Sequence, residues 1–354
     1  MPESTAKMSE RPPEVRGTAG LAKHLGVSRW TISRVLNGHA GVREETRKRV
    51  LAAVKELGFE PNKLARSLRG VPSGLVGVSF PHLEAMVMAQ KSQALQKELK
   101  EAGFRGIFEM PQGDPEIEAA VVRHFLSIQV DGIVLLGSTL KADDPVLREV
   151  KARGVGIVAV DPRHPLPVSR ITLDRGKAMG MKLRYLYDLG HRRMAILGMG
   201  SDDMYRKVRT RGLKEAADTL GLDFGRDLVL LDDSSFSHQD YMFGAGLARQ
   251  VMTMGPEGPT ALVCLNDRLA IGAMRALQEA GKRVPEDFSV IGFDNLPETA
   301  WSHPALTTVD QNIRTQMKLA QQALWRSING NSQSHQIVEP RLVIRGSTSV
   351  APSL

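Results

Sequence analysis

From Gly74 onward, short apolar segments alternate with amphipathic helical segments, and this alternation constrains the fold more than any other feature of the chain. Helical periodicity marks segments such as residues 87–102 and 267–280. Apolar strands are indicated at residues 75–80, 106–108, 132–136, 156–160, 194–198, 229–231, 261–265 and 290–293. Repeated β-α units predict open parallel sheets that bind ligands at the carboxyl ends of their strands. Because so many strands exceed one ordinary sheet, we expect an α/β core of two doubly wound parallel-sheet lobes.

The residues before this core predict a small all-α domain. A short helix covers residues 18–25, Gly26 makes a tight turn, and Ser28 caps a second helix that ends near Leu36. A third helix covers residues 43–57. Three helices with a glycine turn between the first two are typical of the helix-turn-helix domain, whose second helix enters the major groove of DNA. A plain three-helix bundle with a basic surface is the alternative.

The net charge of +8 is unevenly distributed along the chain. Residues 1–70 hold 14 lysines and arginines against 7 acidic residues, and the rest of the chain holds 33 against 32. A basic segment joined to a near-neutral one is the electrostatic pattern of a nucleic-acid-binding module attached to a partner domain. A solvated basic surface is the other interpretation of the charge alone, so the motifs must decide.

Composition excludes several classes of protein. Hydrophobic residues make up 42 % of the chain, enough for a sizeable core. Cys264 is the one cysteine, which excludes a disulfide framework and a cysteine-based zinc cluster and favours a reduced, cytoplasmic setting. No apolar run approaches the ~18 residues of a membrane span. Residues 1–15 form a polar tail without the apolar region of a secretory signal.

The sequence carries no motif of a common enzyme class. The segment Gly198-Met199-Gly200 lacks the third glycine of the dinucleotide-binding fingerprint. The HExxH and GxSxG motifs and a cysteine-centred nucleophile arrangement are also absent from the sequence. We therefore expect a protein that is not an enzyme and that uses no cofactor or metal.

The N-terminal segment contains several specific motifs in one order. They are GVS..T.SRVLNG at residues 26–38, ETR.RV at 45–50, LGF.PN at 57–62 and ARSLR at 65–69. In these motifs the segment resembles the DNA-binding head of the LacI family of transcriptional regulators. Arginine can bond guanine in a bidentate fork, whereas hydroxyls and amides suit phosphates. The resemblance implies that the second helix contacts double-stranded DNA through Ser28, Arg29, Trp30, Thr31, Ser33, Arg34 and Asn37.

Residues 61–71 follow as a predicted hinge helix and linker. An isolated helix shorter than about 12 to 15 residues is marginal in water, so we expect residues 62–69 to be helical only when something holds them. The resemblance implies a second subunit and the DNA minor groove as that support, with Leu68 as the wedge at the central base step. The other implied groove contacts are Ala65, Arg66 and Arg69. The alternative is that Leu64 and Leu68, four residues apart, pack on each other or on the core.

The rest of the chain resembles the LacI-family core, which is similar to the type I periplasmic sugar-binding proteins. The matched stretches include LVGVSFP, DGIVLLG, LGHRRMAILG, NDRLAIGAMRAL and VPEDFSVIGFDN. The resemblance implies a helix-turn-helix domain at residues 16–60 and an effector-binding core at residues 72–354. Three crossovers would divide the core into a first lobe of residues 72–173 and 310–333 and a second lobe of residues 174–309 and 334–354.

The resemblance also places an effector site in the core. An arginine fork and a carboxylate each bond vicinal hydroxyls, and an aromatic ring suits the apolar face of a sugar. The implied effector contacts are Asp161, Arg209, Phe236, Asn266 and Asp294. For Asp161 and Asp294 the alternative is a role as turn residues. Phe236 has simple packing as its alternative.

Two further features bear on the chemistry of the effector. Val87 and Met88 stand where the family commonly has aromatic side chains, which favours a sugar or sugar derivative over a nucleobase. Basic residues such as Arg163 and Arg206 leave a sugar acid open.

Together these features predict a repressor of carbohydrate-utilisation genes that binds a pseudopalindromic operator as a homodimer and responds to a small sugar-like effector. The same architecture with a nucleobase or sugar-acid effector is one alternative. A sugar-binding protein without a regulatory role is another, and the DNA-type head and the lack of a signal peptide argue against it. The terminal sequence GSTSVAPSL shows no tetramerising heptad helix, which favours a dimer.

Overall fold

The structure is a computed structural model that describes residues 17–36, 39–57, 59, 72–81, 86–199, 204–232 and 241–352. The chain forms two compact units, Met1–Ser73 and Gly74–Leu354. Within the described part of the chain, no helix is long and apolar enough to cross a bilayer.

The N-terminal unit, called the head below, contains the three predicted helices. These are α1 (Gly17–Leu25), α2 (Arg29–Leu36) and α3 (Glu44–Glu56). Their apolar faces meet in a small core around Leu21, Ile32 and Val50, which are fully buried. Gly26 lies in the turn between α1 and α2 with a φ of +63°, a conformation that side-chain-bearing residues rarely adopt. The turn that sets α2 against α1 therefore depends on glycine.

The first lobe of the C-terminal unit is built on a six-stranded parallel sheet. Its strands lie in the order β11-β5-β4-β3-β1-β2, and they are β1 (Leu75–Ser79), β2 (Arg105–Glu109), β3 (Gly132–Leu136), β4 (Gly156–Val160), β5 (Ser169–Leu173) and β11 (His335–Val338). The helices that cover it are α4 (Met86–Glu101), α5 (Pro115–Ser127), α6 (Pro145–Ala152) and α11 (Ile313–Ile328).

The second lobe is built on a four-stranded parallel sheet in the order β7-β6-β8-β9. Its strands are β6 (Met194–Leu197), β7 (Leu228–Leu231), β8 (Ala261–Cys264) and β9 (Ser289–Ile291). Its helices are α7 (Arg175–Asp188), α8 (Met204–Leu220), α9 (Tyr241–Met252) and α10 (Asp267–Glu279), with a 3₁₀ turn at Pro297–Ala300. Two further strands, β10 (Thr308–Asp310) and β12 (Arg341–Val343), form an antiparallel pair.

Helices cover both faces of each sheet because successive residues of a strand point to opposite sides. In β3, Val134 and Leu136 pack in one cluster with α4 and α11, whereas Ile133 and Leu135 pack in another with α5 and α6. The residues of β8 divide between two clusters in the same way. Burial of each such aliphatic side chain contributes about 1.5–3 kcal/mol. The predicted pair of doubly wound lobes is confirmed.

The structure corrects one boundary between the lobes. Residues 334–354 were predicted in the second lobe, but β11 pairs in parallel with β5 and so belongs to the first sheet. Because β11 is an edge strand with three of its four side chains exposed or half-buried, it lacks the apolar run that identified the central strands. The strands β5, β10 and β12 were missed for a related reason, since each is short or alternates with polar residues.

Candidate recognition helix and interlobe site

Ser28 caps the start of α2. Its Oγ accepts a hydrogen bond from the backbone N–H of Thr31 at 3.0 Å and lies 2.9 Å from Thr31 Oγ1. The predicted N-cap is therefore confirmed. A capped first turn fixes the directions in which the next two side chains, Arg29 and Trp30, leave the helix.

The outer face of α2 carries side chains that do little for the packing of the head. Arg29 is exposed, and Trp30 is 61 % exposed. Ile32 and Val35, on the opposite face, are buried. Ser33 lies between these extremes and is half-buried. The outer face of α2 is therefore a candidate surface for a binding partner.

Arg34 is held within the head itself. Its Nε donates to the carbonyl of Ala40 at 3.0 Å, and a terminal nitrogen of the same guanidinium also donates to that carbonyl. The guanidinium carbon lies 4.7 Å from the centroid of the Trp30 ring. Arg34 thus lies between a loop carbonyl and an indole, so a base contact would have to compete with these interactions.

The other predicted DNA contacts cannot be placed in the same way. The hinge at residues 61–71 and the polar tail at residues 1–15 lie outside the described residues. So do the predicted contact residues Asn37, Ala65, Arg66, Leu68 and Arg69.

In the C-terminal unit, buried and half-buried ionisable side chains gather at the carboxyl ends of the strands. We call this group the interlobe cluster because its members come from both lobes: Lys91, Asp161, Arg175, Lys182, Asp267 and Asp294. Asp161 directly follows β4, and Asp294 follows β9. This is the edge at which open α/β sheets bind ligands.

Asp161 forms one ion pair within the first lobe and one with the second lobe. Its carboxylate lies 2.6 Å from Lys91 Nζ in the first lobe and 2.7 Å from an Arg175 terminal nitrogen at the start of α7. The backbone N–H of Leu173 donates to it at 2.9 Å. Burial alone would raise the pKa of Asp161, but the attraction of Arg175 and Lys91 outweighs burial and holds that pKa well below its usual range.

The second lobe contributes a buried cation, Lys182, and two carboxyls, the buried Asp267 and the half-buried Asp294. Lys182 Nζ donates to the carbonyl of Cys264 at 2.8 Å, and burial lowers the pKa of Lys182 to about 8. Burial raises the pKa of Asp267 to about 6. Burial and the neighbouring Asp267 raise the pKa of Asp294 to about 7, although Gln311 donates to its carboxyl at 2.5 Å.

Two other predicted effector residues also have partners within the chain. Arg209 donates to the carbonyl of Met199 at 2.5 Å. Asn266 caps α10, where its Oδ1 accepts from the N–H of Leu269 at 2.9 Å. Phe236 lies outside the described residues. The structure therefore brings Asp161 and Asp294 into one charged group, while the roles of all five residues toward an effector stay predictions.

Sequence reasoning missed three cations of the interlobe cluster: Lys91, Arg175 and Lys182. A signal was present, because each occupies a buried position in a helical pattern. Lys91 is followed at steps of four by the buried Leu95 and Leu99, and Lys182 is followed by the buried Leu186. A charged residue within an apolar stripe is the sequence sign of a buried charge.

The head is a basic three-helix domain whose capped helix α2 presents arginine and tryptophan outward. The same chain carries a two-lobed α/β core. Together these two parts define the class of helix-turn-helix transcriptional regulators. Comparison with known proteins supports that class. A family profile described as bacterial regulatory proteins, lacI family, matches residues 20–62, and a periplasmic binding protein-like domain matches residues 183–348. The chain belongs to the LacI family, as the sequence resemblance implied.

Relatives and solved structures cover nearly the whole chain. The HTH-type transcriptional regulator MalR of Streptomyces coelicolor is 33 % identical over 346 residues, which are 94 % of this chain and 97 % of MalR. The HTH-type transcriptional repressor PurR of Aliivibrio fischeri is 30 % identical over 93 % of this chain and 97 % of PurR. The crystal structure of the Lac repressor dimer bound to operator and the anti-inducer ONPF matches with a TM-score of 0.81 and 26 % identity, covering 93 % of this chain and 98 % of that chain. The relatives are named as regulators and not as enzymes, and this chain is a DNA-binding transcriptional regulator.

Proposed function

We propose that this protein is a repressor that binds a pseudopalindromic operator as a homodimer and releases or retains it in response to a small effector. The observation that carries the proposal is the outer face of α2, where the Ser28 cap presents the exposed Arg29 and Trp30. Arginine at the start of a recognition helix is suited to guanine, and an apolar ring is suited to a thymine methyl. Genes of carbohydrate use are the expected target.

Operator binding is tested by selecting duplexes from a random library with the full chain and measuring affinity for the selected site by fluorescence anisotropy. We expect an inverted repeat and a marked preference for it over a scrambled duplex at moderate salt, since base contacts add to the salt-sensitive phosphate contacts. Equal affinity for the selected and scrambled duplexes would disprove a sequence-specific role.

We propose residues 61–71 as the hinge between a head of residues 16–60 and a core of residues 72–354. Within it, Leu68 is the wedge in the minor groove, and Ala65, Arg66 and Arg69 lie along the groove. Leu68→Ala should remove most of the operator affinity and leave effector binding intact. Leu64→Ala is the matched control, because a packing residue would affect stability and not affinity. Unchanged operator binding by Leu68→Ala would refute the wedge.

A homodimer is proposed because an operator with two half-sites needs two recognition helices related by a two-fold axis. The Lac repressor whose structure is similar to this chain is described as a dimer on its operator. Light scattering at operator-binding concentrations should give twice the 38.8 kDa mass of one chain. A monomer at those concentrations would contradict the proposal.

We propose that the effector binds at the interlobe cluster. Its proposed contacts are Asp161, Arg209, Phe236, Asn266 and Asp294. A similar chain is described as the transcriptional regulator CelR in complex with cellobiose, which supports a sugar as the class of ligand. A ligand that binds the two arrangements of the lobes unequally shifts their populations, and this is how it would alter the hinge. A thermal-shift screen of sugars and sugar acids with the full chain tests the assignment.

A further inference from the structure

Trp30 and Arg34 contact each other on the outer face of α2. They are four residues apart, a spacing at which the side chains of a helix lie one above the other. The guanidinium carbon of Arg34 lies over the Trp30 ring, 4.7 Å from its centroid. A cation within about 6 Å of a ring centroid is attracted by the negative face of the ring, and tryptophan attracts it most strongly. We call these two side chains the indole–guanidinium pair.

The loop after α2 contacts the same guanidinium from another side. Arg34 Nε donates to the carbonyl oxygen of Ala40 at 3.0 Å, and a terminal nitrogen donates to the same oxygen. Gly41 follows with a φ of +93°, and a Cβ at that position would lie 3.2 Å from a terminal nitrogen of Arg34. A side chain at residue 41 would therefore crowd the guanidinium. The ring and the carbonyl together restrict both the tilt and the rotation of the guanidinium plane.

The contact with Ala40 uses the side edge of the guanidinium, which consists of Nε and one terminal nitrogen. The end edge consists of the two terminal nitrogens, and a planar guanidinium directs it away from an acceptor at the side edge. Attraction to the indole is an interaction of charge with the ring and does not require an N–H donor. A base therefore competes with Ala40 for the side edge, whereas Trp30 can stay in contact with Arg34 while either edge bonds a guanine.

We propose that Trp30 is a positioning residue for Arg34: its ring holds the guanidinium in the orientation that bonds a guanine and so strengthens the preference for that base. A side chain that is already positioned loses less conformational freedom on binding, so its base contact contributes more to affinity. This inference deepens the proposed function of α2 as the recognition helix and rests on it. It gives Trp30 an effect at a base pair that Arg34 contacts, beside any contact of the indole itself with DNA.

The test uses the operator selected with the full chain and a set of its single-base variants, with affinities measured by fluorescence anisotropy. Arg34→Met first identifies the base pair at which Arg34 prefers guanine, because the variant loses that preference. Arg34→Lys, which keeps the charge and lacks the planar fork, replaces it if Arg34→Met lowers the Tm of the head. If neither variant changes the preference at any base pair, Arg34 contacts no base and the proposal is overturned.

Two replacements of Trp30 separate positioning from a direct apolar contact. Trp30→Leu keeps an apolar side chain that can still meet a thymine methyl, whereas Trp30→Phe keeps an aromatic face for the guanidinium. We expect Trp30→Leu to lower the guanine preference at the Arg34 base pair by about three- to tenfold and Trp30→Phe to keep most of it. The preference at the base pair contacted by Arg29 is the matched control and should not change. No change in Trp30→Leu, or an equal loss in both variants, overturns the proposal.

A double-mutant cycle adds a result that a merely structural role would not give. In the Arg34→Met background, Trp30→Leu should have no further effect at the Arg34 base pair, because the side chain that it positions is gone. Additive losses would show that Trp30 acts independently of Arg34 and would overturn the proposal. Because Trp30 is exposed, Trp30→Leu should also leave the Tm of the head unchanged, and a lower Tm with a uniform loss for all duplexes assigns Trp30 to structure instead.

The same titrations distinguish failure of this inference from failure of the proposed function. Equal affinity of the native chain for the selected and the scrambled duplex contradicts the proposed function. A native chain that prefers the selected operator, combined with additive losses in the cycle, contradicts the positioning role of Trp30 alone.

Discussion

The head and the core of this protein use positive charge in opposite ways. In the head, cations such as Arg29 on α2 and Lys48 on α3 are exposed, so water solvates them. The core buries Lys91, Arg175 and Lys182 at the meeting edge of two sheets. A solvated cation costs little and attracts any polyanion, with an affinity that salt weakens. A buried cation must be matched by a particular anion in a fixed place, so it selects one partner. Exposed cations of the head thus attract DNA in general, whereas buried cations of the core need a particular anion beside them.

The largest effect should come from Asp161→Asn. The change leaves Lys91 and Arg175 buried without their shared counter-charge, and we expect the free energy of unfolding of the core to fall by about 3–5 kcal/mol. Asparagine keeps the shape and tolerates the φ of +46° at this position. Urea denaturation followed by circular dichroism measures the loss.

Its control is Glu149→Gln, which breaks the exposed pair with Arg123 at 3.0 Å. A surface pair contributes about 0–1 kcal/mol, so the two variants should differ severalfold in their effects. Similar losses in both would show that burial does not distinguish the charges of the core from those of its surface.

Ile32→Ala tests whether the head can unfold while the core stays folded. The side chain is fully buried in the small core of the head, and we expect a loss of about 2–5 kcal/mol of head stability. DNA binding should disappear while the thermal transition of the core persists. In Leu51→Ala, whose side chain is 48 % exposed, both properties should be retained. If the core melts with the head in Ile32→Ala, the two units do not unfold independently.

Arg29→Ala tests the specific part of DNA recognition. Loss of a bidentate contact to guanine should cost about 1–3 kcal/mol and relax the preference at one base pair. Lys48→Ala should weaken binding to all duplexes alike and lower the salt dependence, as a phosphate contact does. Anisotropy titrations against single-base variants of the selected operator make the measurement. A uniform loss for Arg29→Ala would remove this residue from the base contacts.

The smallest effect belongs to the cap of α2. Ser28→Ala removes the acceptor for the Thr31 N–H and should cost about 1 kcal/mol, whereas Ser28→Gly should cost a few tenths. Thermal unfolding of the head, compared between the two variants, reports the difference. Identical Tm values would mean that the cap does not stabilise the helix start.

The sequence predicted the head nearly to the residue because its signals are local. The Ser28 cap and the Gly26 turn act within a few positions of themselves, and the helices between them follow from apolar periodicity. The central strands were equally visible, since strands buried on both faces give continuous apolar runs such as residues 132–136. The edge strand β11 was assigned to the wrong lobe because its side chains are mostly exposed and its pairing with β5 spans a long stretch of chain.

The candidate site was only half visible in the sequence. Asp161 and Asp294 stood out because each follows a strand, where ligand-binding side chains of α/β proteins concentrate. The partners that set their charge, Lys91 and Arg175, lie 70 and 14 residues from Asp161. Contacts at such separations have no local pattern. The family's motifs predicted the positions of the effector residues, but they did not predict the ion pairs that these residues form.

The amino-acid sequence by itself determined the helix-turn-helix head, the doubly wound core and the family, since these follow from periodicity, caps and motifs that act over short distances. Only the tertiary structure decided which charges are buried and which of them are paired. The physical reason is that the free energy of a charged side chain depends on its distance to other charges and on its contact with water. Folding fixes both distances by bringing together side chains from different helices and from both sheets.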